Sequence, residues 1–319
     1  IEFERNPLYW NDKETVINSA TFLAIENPST DVARYRAGDL DMTSYALPPE
    51  QFAKLQKELP GEVFTTRTLA TYSYELNNKK APFDNVNIRK ALNLSLDRNV
   101  ITDKVLGQGQ TPTYVFTPTY IEEGQLIQQP AYSKEPMAQR NEEAIKLLEE
   151  AGYSKANPLK FSILYNTNEN HKKVAIAAAS MWKANTKGLI DVKLENQEWK
   201  TYIDSRRAGR YDAARAGWNA DYNQATTFGN YFLSNSSNNT AKYANPEYDK
   251  AIAESYVATD AEGRAKAYAK AEEILAKDFG IVPIFNYVNP RLVKPYVKGY
   301  SGKDPQDHIY LRNLYIIKH

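Results

Sequence analysis

Cysteine is absent from the 319 residues, so the chain holds neither a disulfide nor a thiolate-ligated metal, and cysteine usage is silent about redox compartment. Histidine is scarce. His171, His308 and His319 lie far apart without HExxH spacing, which argues against a His-rich metal site. No hydrophobic run is long enough to cross a membrane, and no basic, apolar, small-residue leader opens the sequence. Charge of one sign is lacking too: 40 basic and 39 acidic residues leave +1, so neither nucleic acid nor an anionic membrane is expected as a partner. Catalytic signatures are equally thin. Gly107-Gln-Gly109 lacks the rest of a dinucleotide fingerprint, Gly299-Tyr-Ser-Gly302 is not a nucleophile elbow, and no phosphate-binding loop is visible, so no cofactor is expected.

A hydrophobic share of 42% with 25% charged residues is that of a soluble globular protein, and the length suits two domains. Thr30 or Asp31 can cap a helix that Gly38 ends, and Pro48-Pro49 can start another before Pro60-Gly61. Between them Leu40–Ser44 suits a short strand, and Glu62–Asn77 reads as extended chain crossing toward a second domain. Helical spacing resumes from Asp84 to Gly107 and again from Asn141 to Gly152, separated by a loop over 110–139. Strands at 159–166, 190–195 and 211–218 then alternate with helices near 171–184 and 199–207, the pattern of an α/β layer. Helices near 246–257 and 260–277 lead into the apolar run Ile281–Phe285.

The richest stretch is Tyr211–Tyr222. Arg215 and Asp221 lie at the end of a small, apolar strand, where ionised groups need partners, and a zwitterion could serve both. This segment resembles the ligand-contacting strand of the periplasmic oligopeptide-binding proteins, the receptors of ATP-driven peptide importers. Asp31–Met42, Leu164–Thr167, Asn196–Trp199, Val288–Pro295 and Gly302–Pro305 resemble the same family, over essentially the whole chain. Within it, the chain reads as closer to the murein-peptide receptor than to the general oligopeptide receptor.

The resemblance implies an α/β fold of the periplasmic binding protein type II kind, with two lobes around a cleft and mixed sheets flanked by helices. Residues 1–70 with 288–319 would belong to a discontinuous first lobe, and 71–287 would form a second lobe with most of the peptide site. The chain would begin well inside the complete protein, with a secretory signal and the amino-terminal remainder on the part before it. A cysteine pair of close family members falls at Ala70 and Asn219. Asp221 is expected to take the ligand ammonium, and Arg206 and Arg215 its carboxylates. Trp199, Trp218 and Tyr287 would wall the site, Gly217 and Asn219 would offer backbone to the peptide, and Asn166 and His171 would line side-chain pockets. The implied function is binding, without catalysis, of a short peptide in the periplasm, most specifically murein tripeptide (L-Ala-γ-D-Glu-meso-Dap), for delivery to permease subunits of the importer. A general oligopeptide receptor, a carboxylate-dependent hydrolase and a pure interaction module are the alternatives.

Overall fold

Asparagine starts four of the helices in the computed structural model, which describes residues 1–318. In chain order the elements are β1 (Glu2–Glu4), β2 (Ser19–Thr21), α1 (Pro28–Ala37), α2 (Pro49–Glu58), β3 (Val63–Leu76), α3 (Val86–Leu94), β4 (Thr111–Pro112) and α4 (Met137–Glu150). There follow β5 (Leu159–Asn166), α5 (Glu169–Asn185), β6 (Ile190–Gln197), α6 (Trp199–Arg207), β7 (Ala213–Asn219) and α7 (Thr226–Gly229). Last come α8 (Pro246–Val257), α9 (Ala261–Lys277), β8 (Ile281–Leu292), β9 (Val297–Lys298) and β10 (Tyr315–Ile316).

The chain divides into two compact units. One comprises Ile1–Thr68, Gly107–Gly109 and the residues from Val288 on. Here α1 and α2 bury Val32, Tyr35, Leu47, Phe52 and Leu55 with Leu292. The cap of α1 is Asn27, which accepts from the N–H groups of Ser29 and Thr30, rather than Thr30 or Asp31. Asp31 instead accepts from the N–H and Oγ of Ser44, at 2.8 and 2.7 Å. That contact holds Leu40–Ser44 as irregular chain with a single bridge, Met42 to Val293, where a strand was expected.

The other unit comprises Leu69–Leu106 and Gln110–Tyr287. The six-stranded sheet has the order β4-β8-β3-β7-β5-β6; β3 runs antiparallel to β7, whereas β5 is parallel to both β6 and β7. The alternation read from the sequence over 159–219 is thus an α/β layer, and the fold is α/β with a mixed sheet. Some boundaries differ. The helix expected to start at Asn141 begins at Met137, the turn Val100–Leu106 winds as π-helix, and β8 continues past Phe285 to Leu292.

Strand register decides which side chains can meet. Tyr72 lies opposite Gly217 and Tyr74 opposite Arg215, on one face; Glu75 lies opposite Ala214 and Thr71 opposite Trp218, on the other. Trp182 of α5 packs on Tyr74, and Arg206 of α6 reaches Glu75, so α5 and α6 cover opposite faces. The α5 face buries Phe161, Ile163 and Tyr165 with Val174, Ala175, Ala178 and Trp182; the α6 face buries Leu164, Tyr202, Tyr211 and Ala214.

Candidate functional site

Hydrogen bonds alternate along an antiparallel pair, and this fixes where the backbone of β7 points. Asn77 N–H donates to Asp212 and Ala220 N–H to Leu69, so 212, 214, 216, 218 and 220 turn their backbone groups toward β3. Gly217 and Asn219 therefore turn theirs the other way. On that side β5 pairs with β7 only at Ala213 and Ala214. Beyond Arg215, whose carbonyl accepts from the Tyr202 hydroxyl, the edge of β7 has no strand beside it among the described residues. It lies past the carboxyl ends of parallel strands, where open α/β sheets commonly hold ligands.

A cation stands at the start of this open edge. Arg215 is half-buried, with its Nε enclosed and unpartnered, its Nη2 donating to the Tyr287 hydroxyl and its guanidinium 5.2 Å from the Tyr72 ring centre. Among the described residues no carboxylate lies within ion-pair distance of it. Burial lowers its pKa, but Tyr287, Tyr202 and Tyr72 more than offset that, and the guanidinium stays charged. Gly217 makes room for the arrangement: a Cβ there would stand 3.0 Å from both Arg215 Nη2 and Tyr287 Oη. His171, in the first turn of α5, has its ring 5.6 Å from that of Tyr72. Burial first, and Arg215 second, hold its pKa well below the usual histidine value, so it faces the site neutral.

An anion stands at the far end. Asp221 is exposed, just beyond β7, and its carboxylate accepts from the Thr227 hydroxyl. Trp218, half-buried, packs edge-on against Tyr231 at 4.9 Å and donates its indole N–H to the same hydroxyl. The Arg215 head group lies level with Gly217, and four residues at ~3.3 Å each give the backbone from Gly217 to Asp221 a span of at most about 13 Å.

The expected residues are not all brought to one point. Arg215, Gly217, Asn219, Tyr287 and His171 share the α5 face, whereas Trp218 and Asn166 belong to the α6 face. Trp199, 55% exposed, stacks on Tyr202 at the start of α6. Asn166 is buried with Oδ1 unpartnered at the end of β5. Arg206 lies apart from these residues. It is buried and donates through Nη2 to Glu75 at 2.8 Å, while Tyr231 and Thr240 complete the cluster. Burial works against its charge, but Glu75 raises its pKa well above the ordinary value, so the carboxylate expected from a ligand is already supplied by the protein. Glu75, Tyr202 and Thr227 escaped the sequence reading. Glu75 carried a usable signal, since an ionised residue inside Leu69–Leu76 demands a partner as much as Arg215 does.

Residues 1–240 match the family of bacterial extracellular solute-binding proteins, family 5, middle region. The chain is 97% identical, over all of its length and 59% of the relative's, to the periplasmic oligopeptide-binding protein of Haemophilus influenzae. A crystal structure of the Haemophilus influenzae protein in complex with RPPGFSPFR superposes with a TM-score of 0.95 at 96% identity, over 99% of this chain and 62% of that one. The Escherichia coli murein tripeptide binding protein superposes with a TM-score of 0.91 at 43% identity, over 98% of this chain and 60% of that one. The chain thus spans less than two thirds of these relatives. The order of resemblance expected from the sequence is reversed: the oligopeptide-binding relative is far nearer than the murein one.

Proposed function

Because the chain belongs to the bacterial extracellular solute-binding proteins of family 5, we propose that it is the peptide-binding part of a periplasmic receptor that hands oligopeptides to the permease of an ATP-driven importer. It binds; it does not catalyse. The observation that carries the reading is the open edge of β7, bounded by the Arg215 cation and the Asp221 carboxylate. An extended peptide adds there as a strand, exchanging backbone hydrogen bonds with Gly217 and Asn219, which makes binding indifferent to side chains. Asp221 takes the α-ammonium and Arg215 a carboxylate, each by charge-assisted hydrogen bonds. A backbone span of at most about 13 Å from Gly217 to Asp221 matches an extended chain of about four residues at ~3.3 Å each. Trp218, Tyr287, Trp199, His171 and Asn166 flank that strand, and Arg206 contributes by holding Glu75.

Murein tripeptide is the narrower reading, and the likeness to its receptor supports it. Its additional carboxylates call for further cations, however, and Arg206 is committed to Glu75. The general oligopeptide reading is therefore preferred. Calorimetric titration of trialanine, trialanine amide and murein tripeptide tests it. Expected are one-to-one binding of trialanine, weakening on amidation, and no preference for murein tripeptide. Absence of heat with all three peptides refutes the receptor reading, and strong preference for murein tripeptide restores the narrower one.

A further inference from the structure

The Thr227 hydroxyl lies between three polar groups and has only one proton to give. The residue is 4% exposed and sits in α7 between Ala225 and Phe228, both buried in the second core of the unit. Two of the three groups are N–H donors: Trp218 Nε1 at 3.2 Å and the backbone N–H of Asp221 at 3.3 Å. Both can only donate, so they occupy the two lone pairs of Oγ1. The remaining hydroxyl proton is directed at Asp221 Oδ2, 3.4 Å away. An exposed aspartate beyond a strand end otherwise samples several rotamers, and this contact, made through Oδ2, favours one of them and does not engage Oδ1. The Thr227 Oγ1 also takes the indole N–H of Trp218, so Trp218 offers a ring face rather than a donor.

We propose that Thr227 is a positioning residue for the ammonium anchor, fixing the Asp221 carboxylate against Trp218 so that one oxygen is presented to the amino terminus of a peptide. The inference rests on the assignment of Asp221 above. It is tested by titrating trialanine into the full chain and into Thr227→Val, Thr227→Ser, Asp221→Asn and the Thr227→Val/Asp221→Asn double variant. Removing the Oγ1, which donates to Asp221 Oδ2 and accepts from Trp218 Nε1 and the Asp221 N–H, from an otherwise isosteric side chain should weaken trialanine roughly three- to tenfold in Thr227→Val. Thr227→Ser should restore binding, and Thr227→Val should have no further effect once Asp221 is asparagine. Equal losses in both backgrounds, no loss at all, or no rescue by serine would overturn the positioning role. Unchanged affinity in Asp221→Asn would instead sink the anchor assignment itself.

Discussion

Arg206 and Arg215 are two enclosed cations nine residues apart in sequence, yet replacing each by methionine should move stability differently. Arg206→Met removes the counter-ion of Glu75, whose side chain is 1% exposed, and leaves that carboxylate with the neutral donors Tyr231 and Thr240. Breaking a buried pair from one side costs about 3–5 kcal/mol. In a domain of this size, with a melting shift of roughly 2–4 °C per kcal/mol, that is a loss on the order of 10 °C. Arg215→Met removes a cation with no carboxylate partner among the described residues. The lost hydrogen bond to Tyr287 and the lost contact with the Tyr72 ring, together worth about 1–2 kcal/mol, are offset by relief of desolvation, so stability should stay within about 1 kcal/mol. Binding should follow the opposite order, since Arg215 faces the open edge and Arg206 does not. Guanidinium denaturation read by fluorescence and circular dichroism, analysed at constant slope, gives the stability side. Glu75→Gln in the Arg206→Met background should recover part of the loss, because removing both charges is often nearly neutral. Equal destabilisation by the two arginine variants, or a cost below about 1 kcal/mol for Arg206→Met, would refute the reasoning.

Two further predictions concern the same face. Gly217→Ala should displace the Arg215 head group from Tyr287, since its Cβ would meet both at 3.0 Å, and weaken trialanine about tenfold while leaving trialanine amide little changed; calorimetry reads both. His171 is neutral in the folded protein, whereas an unfolded chain protonates it near 6.5. Below that pH the unfolded state binds the extra proton, so His171 lowers stability on acidification by ~1.4 kcal/mol per pH unit until the folded group also titrates. His171→Gln should flatten the fall in unfolding free energy between about pH 6.5 and 5, and an unchanged slope would contradict this placement.

Periodicity made the α/β layer over 159–219 legible, because β5, β6 and β7 alternate with helices whose apolar positions recur every three to four residues. Caps were less so. Asn27 does not stand out in sequence because Thr30 and Asp31 compete for the same role, and only the chain path, which brings Ser44 to Asp31, separates them. The site was legible as a set of residue types and illegible as a set of partners. Arg206 and Arg215 look alike in sequence; Glu75, 131 residues from Arg206, pairs with the first, while the second has no carboxylate partner among the described residues. Period two also hides a division: Arg215 and Trp218, three apart on one strand, necessarily face opposite ways.

The strand order carries a consequence for how the protein is made. β3 lies between β8 and β7, both of which are synthesised far downstream, whereas β5, β6 and the helix between them are contiguous. Local contacts close first and long loops close last, so the β5-α5-β6 unit can assemble while β3 still waits for its neighbours. During that interval Leu69–Leu76, which becomes fully buried, is an exposed and aggregation-prone edge. Arrival of β7 ends that interval on one side and β8 on the other, making the central strand of the finished sheet among the last to be secured.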